Sequence, residues 1–256
     1  MLACAWCVQL TFLLGADHIV VYDWNTSPKT QAVVQHYAAR CRGGERRCGV
    51  DVVPWRLPQP AIDRIWYNGQ SLAIQDCLYR QMASSRYVVF SDVDEFLVPH
   101  GNLMTNWSQL AEILDRPSSC AFQFVSAFFD PAAGKQPPPH VKDDLSRRPP
   151  TGPELMTMRS TRRSKHFSNV RTKCMVQPYE IFEAGIHHIS KPIWASLTVD
   201  RVETNVAFVH HYRDCVSMYG MNCAGTVDDP AVQRYFDALT QSTAQVWNEL
   251  QLSGVL

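Results

Sequence analysis

The segment 87–99, YVVFSDVDEFLVP, decides how the rest of the sequence is interpreted. An apolar strand runs directly into three acids within four residues, Asp92, Asp94 and Glu95, and the chain then becomes apolar again. Carboxylates are the oxygen ligands that Mg²⁺ and Mn²⁺ prefer, and side chains two residues apart in an extended segment point the same way. The pattern therefore predicts a divalent cation bound by Asp92 and Asp94 at the end of a strand.

Two other interpretations of these acids stay open. A plain surface turn or a helix cap is the commonest role of such a pattern. Haloacid-dehalogenase phosphatases also place Asp-x-Asp after an apolar strand and use the first Asp as nucleophile. They have Thr or Val two residues after the second Asp, where this chain has Phe96, and a later Gly-Asp-x-x-x-Asp does not occur here.

Strands alternate with helices through the front of the chain. The predicted elements are strands at 18–22, 49–55 and 87–90 and helices at 3–14, 25–41 and 67–83. This order indicates an α/β domain with a mixed, mostly parallel central sheet flanked by helices. Ligands of such sheets bind at the carboxyl ends of strands, where the three acids stand.

The second half continues with more strands and two helices. We predict helices at 106–117 and 230–251, an exposed Pro-rich loop at 131–153, and strands at 120–129, 172–178, 185–190 and 205–212. Asp229 and Pro230 are the expected cap and first residue of the last helix. The first sixteen residues lack a basic start and run straight into a strand, so we interpret them as a packed helix and not as a signal peptide.

Composition limits the kinds of partner and the compartment that we expect for the protein. The 256 residues balance 24 basic against 24 acidic side chains, which gives no electrostatic reason to expect a nucleic-acid partner. Nine cysteines and the sequons at Asn25 and Asn106 favour an oxidising, lumenal compartment. A disulfide between Cys41 and Cys48 is a hypothesis that the sequence alone does not fix.

Several blocks together resemble glycosyltransferase family 92. In chain order they are LLGADHIVVYD, YNGQSLAIQDCLYRQMASSRYVVFSDVDEFLVP, RTKCMVQP, GIHH and HHYRDC. The resemblance implies one GT-A-type domain over 1–256, with a nucleotide-sugar-binding half, 1–100, that ends in the DxD motif, and an acceptor-side half, 101–256. It also implies inverting transfer of galactose from UDP-galactose, with Mn²⁺ or Mg²⁺, to a glycan on a glycoprotein or glycolipid.

The resemblance assigns the metal ligands by position. Asp94 would bind the cation directly, and Asp92 would contact the ribose or bind the metal, directly or through water. His211, or His210 beside it, would close the metal shell, and His188 is a further candidate. Each histidine of a pair on a strand has a competing role as a core residue.

Further residues would hold the donor or act on the acceptor. The resemblance places Asp23 at the nucleotide, Glu95 beside the DxD loop or the sugar, and Lys173 and Arg213 at the diphosphate or acceptor. An inverting transfer needs a base for the acceptor hydroxyl. Glu183 is our first candidate for that base and Asp130 the second.

The start of the chain departs from the family pattern. We expect the family's first strand, its first uridine-binding loop and its membrane anchor and stem to be missing from this chain, which starts within the first helix. The full-length form would be a type II membrane protein of the Golgi lumen, attached through that anchor. The alternative function is that of a truncated or inactive member that binds a glycan or a protein.

Overall fold

A mixed β-sheet carries the fold in the computed structural model, which describes residues 2–41, 49–58, 64–102, 104–129, 156–213 and 225–254. The helices are α1 Leu2–Leu13, α2 Pro28–Cys41, α3 Gln70–Gln81, α4 Trp107–Leu114, α5 Met156–Arg159 and α6 Phe236–Leu252. The strands are β1 His18–Asp23, β2 Gly49–Pro54, β3 Val88–Val89, β4 Glu95–Pro99, β5 Ser119–Phe128, β6 Arg162–Ser164, β7 Ser168–Val176, β8 Ile181–Ala184, β9 Ile189–Pro192, β10 Thr198–Arg201, β11 Ala207–His211 and β12 Thr226–Asp228.

The central sheet has the order β3-β7-β5-β11-β4, with β10 also paired to β5. Strands β10 and β11 run parallel to β5, whereas the pairs β4–β11, β5–β7 and β3–β7 are antiparallel. The expected α/β class is confirmed. The prediction of a mostly parallel sheet is not confirmed, since antiparallel pairs predominate in the described central sheet. Parallel pairing needs long crossovers, usually helical, and the chain from β7 to β11 contains strands, turns and one short 3-10 helix.

Three smaller sheets lie beside the central one. Strands β1 and β2 pair in parallel through α2, as expected of a β-α-β unit, and β12–β6 and β8–β9 pair antiparallel. The strand predicted at 185–190 is confirmed only at its end, where β9 begins at Ile189, because residues 185–188 form a turn between β8 and β9. The last helix begins at Phe236, after a 3-10 turn over Ala231–Tyr235.

Some sequence predictions concern residues outside the described ranges. The Pro-rich loop at 131–153 and Cys48 lie there, so the disulfide hypothesis stays untested. The cysteines Cys77, Cys120 and Cys174 are free thiols. In the part of the chain that the structure describes, no helix is long and apolar enough to cross a membrane.

Helix α1 packs directly behind the acidic segment. Trp6, Leu10 and Leu14 are buried, and the Trp6 ring lies 5.5 Å from the ring of Phe96. Each such side chain contributes about 1.5–3 kcal/mol by leaving water. The predicted packed helix at the chain start is therefore confirmed, and it supports the first strand after the acids.

Strand β4 is buried along its whole length and divides two hydrophobic clusters. Phe96 and Val98 join one cluster, whereas Leu97 joins the other. The neighbouring β11 alternates in the same way, with Phe208 on the side of Phe96 and Val209 on the side of Leu97. A strand with both faces covered needs an unbroken apolar run, which explains why the sequence turns apolar immediately after the acids.

A strained turn leads the chain into α3. Tyr67, Asn68 and Gly69 all have positive φ angles of 47°, 52° and 79°. A Cβ atom on Gly69 would lie 2.9 Å from Leu57 Cδ1, so glycine is favoured by space as well as by conformation. This turn sets the position of Gln70, the first residue of α3.

Candidate active site

The acids stand on a tight turn between β3 and β4. The Asp92 N–H donates to Glu95 Oε2 over 3.0 Å, and the Glu95 N–H donates to the Asp92 carbonyl over 3.1 Å. Val93 is exposed at the tip of the turn, and Cys7 of α1 donates its thiol to the Val93 carbonyl. Because the segment is a turn and not extended, Asp92 and Asp94 contact different partners.

Asp92 is held by one amide and one ammonium group. Gln70 Nε2 donates to Asp92 Oδ1 over 2.5 Å, and Lys173 Nζ lies 3.2 Å from Asp92 Oδ2. The Lys173 side chain reaches the turn from β7 and is buried, with only 3% of it exposed. About a third of the Asp92 side chain stays exposed, so its carboxylate can still meet a ligand from solvent.

Asp94 faces the end of β11. His211 Nε2 lies 3.6 Å from Asp94 Oδ2, and Arg213 Nη1 lies 3.8 Å from the same oxygen. The backbone N–H of Tyr212 donates to the Asp94 carbonyl, which fixes the turn against β11. Burial opposes ionisation of Asp94, but the hydrogen bond and charge of His211, with the charge of Arg213, hold its pKa below the usual value.

Glu95 lies between Lys173, which contacts Asp92, and His211, which contacts Asp94. Its Oε2 lies 2.8 Å from Lys173 Nζ, and its Oε1 lies 3.5 Å from His211 Nδ1. Burial raises the pKa of Glu95, and the Lys173 ammonium opposes that rise. Burial has the opposite effect on Lys173 and lowers its pKa. The charges of Glu95 and Asp92 outweigh burial, so the net shift of the Lys173 pKa is upward and Lys173 stays cationic.

The charges of the site leave an excess of one negative unit. Three carboxylates (Asp92, Asp94, Glu95) face two permanent cations (Lys173, Arg213), and 3 − 2 leaves one when His211 is neutral. A divalent cation would turn this into an excess of one positive unit. The site can therefore attract a cation first and a diphosphate afterwards.

The other predicted residues are placed as follows. Asp23 ends β1, where its carboxylate accepts hydrogen bonds from Thr26 and Gln31. Glu183 is exposed on β8 opposite Lys191 of β9, and Asp130 lies outside the described residues. No contact among the described residues joins Asp23 or Glu183 to the acidic turn.

The histidines of the two predicted pairs lie in different surroundings. His188 is exposed in the β8–β9 turn and contacts Ser190. His187 instead lies against β7, with Nδ1 3.0 Å from the Thr172 carbonyl, and burial and the Lys173 charge lower its pKa. His210 lies on the opposite face of β11 from His211 and takes no part in the site.

Gln70 is a site residue that the sequence did not single out. Its position directly after the Asn68-Gly69 turn is the only local signal, and nothing in the sequence joins it to Asp92, 22 residues later. The described residues of the site thus combine α3, the acidic turn, β7 and β11.

Comparison with known proteins gives two findings. The model of glycosyltransferase family 92 matches residues 5–249. The chain is also similar to Beta-1,4-galactosyltransferase galt-1 of Caenorhabditis elegans, with 28% identity over 213 residues. That match covers 81% of this chain and 43% of the relative, so the chain spans less than half the length of the curated relative it matches.

Proposed function

The chain belongs to glycosyltransferase family 92, and from this premise we propose that it transfers galactose from UDP-galactose to a glycan, with inversion and with a divalent cation. The observation that carries the proposal is the 3.6 Å distance between His211 Nε2, at the end of β11, and Asp94 Oδ2, on the acidic turn with 31% of its side chain exposed. The name of the nematode relative supports galactose as the sugar. We place the acceptor on a glycoprotein or glycolipid in the Golgi lumen.

The residues present fit a manganese or magnesium ion. Asp94 offers a carboxylate oxygen and His211 offers Nε2, while Nδ1 of the same ring faces the buried Glu95 Oε1. Apart from this 3.5 Å approach, Glu95 Oε1 is buried and accepts no hydrogen bond from the described residues. A carboxylate behind a ligating imidazole fixes the tautomer of the ring, and the mixed oxygen and nitrogen ligands favour Mn²⁺ over Mg²⁺.

A bound cation would neutralise the negative charge that develops on the departing diphosphate. Arg213, which is 39% exposed, can pair with the diphosphate oxygens from the same side. Lys173 holds Asp92 and Glu95 in place, because its ammonium group contacts both. Asp92, oriented by Gln70, is the acceptor we assign to a ribose hydroxyl or to a water on the cation.

The acceptor hydroxyl must lose its proton during an inverting transfer. Glu183 and Asp130 remain our candidates for the base. Substitution of each by its amide, in separate variants, tests them, because loss of the base lowers kcat and leaves UDP binding intact.

Calorimetric titration of UDP with and without Mn²⁺, beside transfer assays with UDP-galactose and UDP-glucose, tests the proposal. We expect tight binding only with Mn²⁺, and Asp94→Ala to lower transfer by about 100-fold or more. Asp17→Ala removes an exposed aspartate elsewhere and should change neither. Mn²⁺-independent UDP binding would contradict the assignment of the DxD motif, and glycan binding without UDP binding would favour the binding-module alternative.

A further inference from the structure

A second cluster of ligating side chains lies on the face of β11 opposite the site. His100, directly after β4, His210 of β11 and Asp229, directly after β12, each bring one ligand atom within 4.8 Å of the others. His210 and Asp229 are buried, and His100 is partly buried. Among the described residues, this is the group in which three histidine, cysteine or acidic side chains bring their ligand atoms within that distance.

The spacing of the three side chains agrees with tetrahedral zinc. His100 Nε2 lies 3.2 Å from His210 Nε2 and 3.2 Å from Asp229 Oδ2. Zinc binds imidazole nitrogen and carboxylate oxygen at about 2.0–2.1 Å, so two tetrahedral ligands lie about 3.3 Å apart. Two of the three pairs thus have the separation that a shared ion requires, and His210 and Asp229 lie within 4.8 Å of each other.

The second nitrogen of each ring has its own partner. His100 Nδ1 lies 2.9 Å from the Val98 carbonyl and must donate to it, and His210 Nδ1 lies 3.3 Å from the Tyr212 hydroxyl. With its only proton on Nδ1, the His100 ring would turn the Nε2 lone pair toward His210 and Asp229. A histidine that binds a metal through Nε2 and donates through Nδ1 has this arrangement.

A proton alone does not satisfy the cluster. If His100 Nε2 carries the proton, it can donate well either to Asp229 or to His210 Nε2, and the other contact is left poor. If His210 Nε2 carries it, the His100 lone pair faces the Asp229 carboxylate. The first arrangement makes one N–H serve two acceptors and the second turns a lone pair toward a carboxylate, whereas one metal ion accepts all three lone pairs.

The surroundings favour a structural site over a catalytic one. Arg163 Nε donates to Asp229 Oδ2 over 2.9 Å, and the Ala231 N–H donates to Oδ1, so the carboxylate is oriented and ionised. Phe208 stacks on His100 at 3.9 Å and Phe129 on His210 at 4.2 Å between ring centroids. These rings cover one face of each histidine and leave only 13% of the His100 side chain exposed, so a water molecule would be the fourth ligand of a tetrahedral ion.

We infer that His100, His210 and Asp229 form a structural zinc site. The ion would fasten the end of β4 and β11 to the segment that precedes α6, positions that are 110 and 129 residues apart from His100 in sequence. The inference does not depend on the proposed transferase activity. The two sites also differ in ligands, since the active site offers mainly carboxylates.

Metal analysis of the full chain, purified without a histidine tag, tests the inference. After exposure to zinc and gel filtration, elemental analysis should find about one tightly bound zinc ion per chain. His100→Gln should lower this content at least about fivefold, because it removes one ligand. Two control variants should retain the zinc. His36→Gln removes a histidine that pairs with Glu249 outside the cluster, and Asp94→Ala alters only the acidic turn.

Two measurements need no variant and keep the test decisive if His100→Gln does not fold. Cobalt in place of zinc should give the visible absorption of a tetrahedral ion, and a chelator should lower the melting midpoint by about 5 °C or more. A folded wild-type chain without zinc above the buffer level would overturn the inference. So would a melting midpoint unaffected by the chelator, or equal zinc content in His100→Gln and wild type.

Discussion

His210 and His211 are neighbours on β11, yet the two faces of the strand give them different chemistry. His211 meets Asp94 and Glu95 across ion-pair distances, beside a turn whose aspartates are about a third exposed. His210 meets another imidazole and is enclosed by Phe129 and Phe208. The register explains the division, because His211 pairs with Glu95 and His210 pairs with Phe96.

The comparison teaches that exposure and the type of neighbour, more than residue type, decide what a histidine does. On the face of His211, Asp92, Asp94 and Arg213 keep about a third of their side chains exposed, which suits a ligand that enters and leaves. On the face of His210, aromatic rings close the space, which suits an ion or contact that stays. Three variants test whether the two faces are separate in stability and in activity.

The largest expected effect is that of Lys173→Met. Removing the buried ammonium leaves Glu95 and Asp92 without their cation and should cost about 3–5 kcal/mol of unfolding free energy. Urea denaturation measures this loss, and Lys165→Met, at an exposed lysine, should change stability by less than about 0.5 kcal/mol. Adding Glu95→Gln to Lys173→Met should recover part of the loss, since it removes the unpaired charge.

A loss below about 1 kcal/mol in Lys173→Met would mean that the active-site face contributes little to stability. The two faces would then differ more sharply than we describe.

The second prediction concerns Arg163→Met on the other face. Arg163 pairs with Asp229 and lies over the ring of Phe167 at 4.7 Å, so its loss should cost about 2–3 kcal/mol. Turnover of the folded fraction should be unchanged, because no described contact joins Arg163 to the acidic turn. Thermal melts and transfer assays on the same samples measure both quantities, with Arg162→Met as the exposed control.

A tenfold loss of turnover in Arg163→Met at an unchanged melting midpoint would show that the two faces of β11 are not separate in activity. It would mean that the aromatic face acts on the chemistry through β11.

The smallest effect is expected from Gln70→Ala. It removes the hydrogen bond to Asp92, worth about 1.5 kcal/mol for a charged acceptor, and should raise KM for UDP-galactose about tenfold. The kcat should stay within about twofold, and the exposed neighbour Ser71 supplies the control variant Ser71→Ala. A fall in kcat with unchanged KM would assign Gln70 to the transition state instead of to donor binding.

Local patterns of the sequence predicted most elements and the family. The apolar runs of β1, β4, β5 and β11 and the cap at Asn106 lie within single segments, so spacing and composition reveal them. The acidic turn was recognisable because charge interrupts an otherwise apolar run. The strand predicted at 185–190 failed over residues 185–188, because they form a turn whose His187 carbonyl accepts hydrogen bonds from Thr172 of β7 and Gln123 of β5.

The contacts that define both sites could not be predicted from local patterns. Gln70, Lys173 and His211 reach the turn from three separate elements, and His100 meets Asp229 across 129 residues. Sequence spacing gives the face of one strand but not its register against another. The mixed sheet order of β3-β7-β5-β11-β4 decides which faces meet, and it depends on the whole chain.

The internal cation Lys173 has a consequence for the order of folding and ion binding. Because its ammonium group already neutralises part of the negative charge at the base of the turn, the polypeptide can fold before any divalent cation arrives. If the proposed ion is required for activity, its supply would then set the working rate of molecules already made, and not their yield. A shortage of the ion would silence the protein reversibly, without loss of its pool.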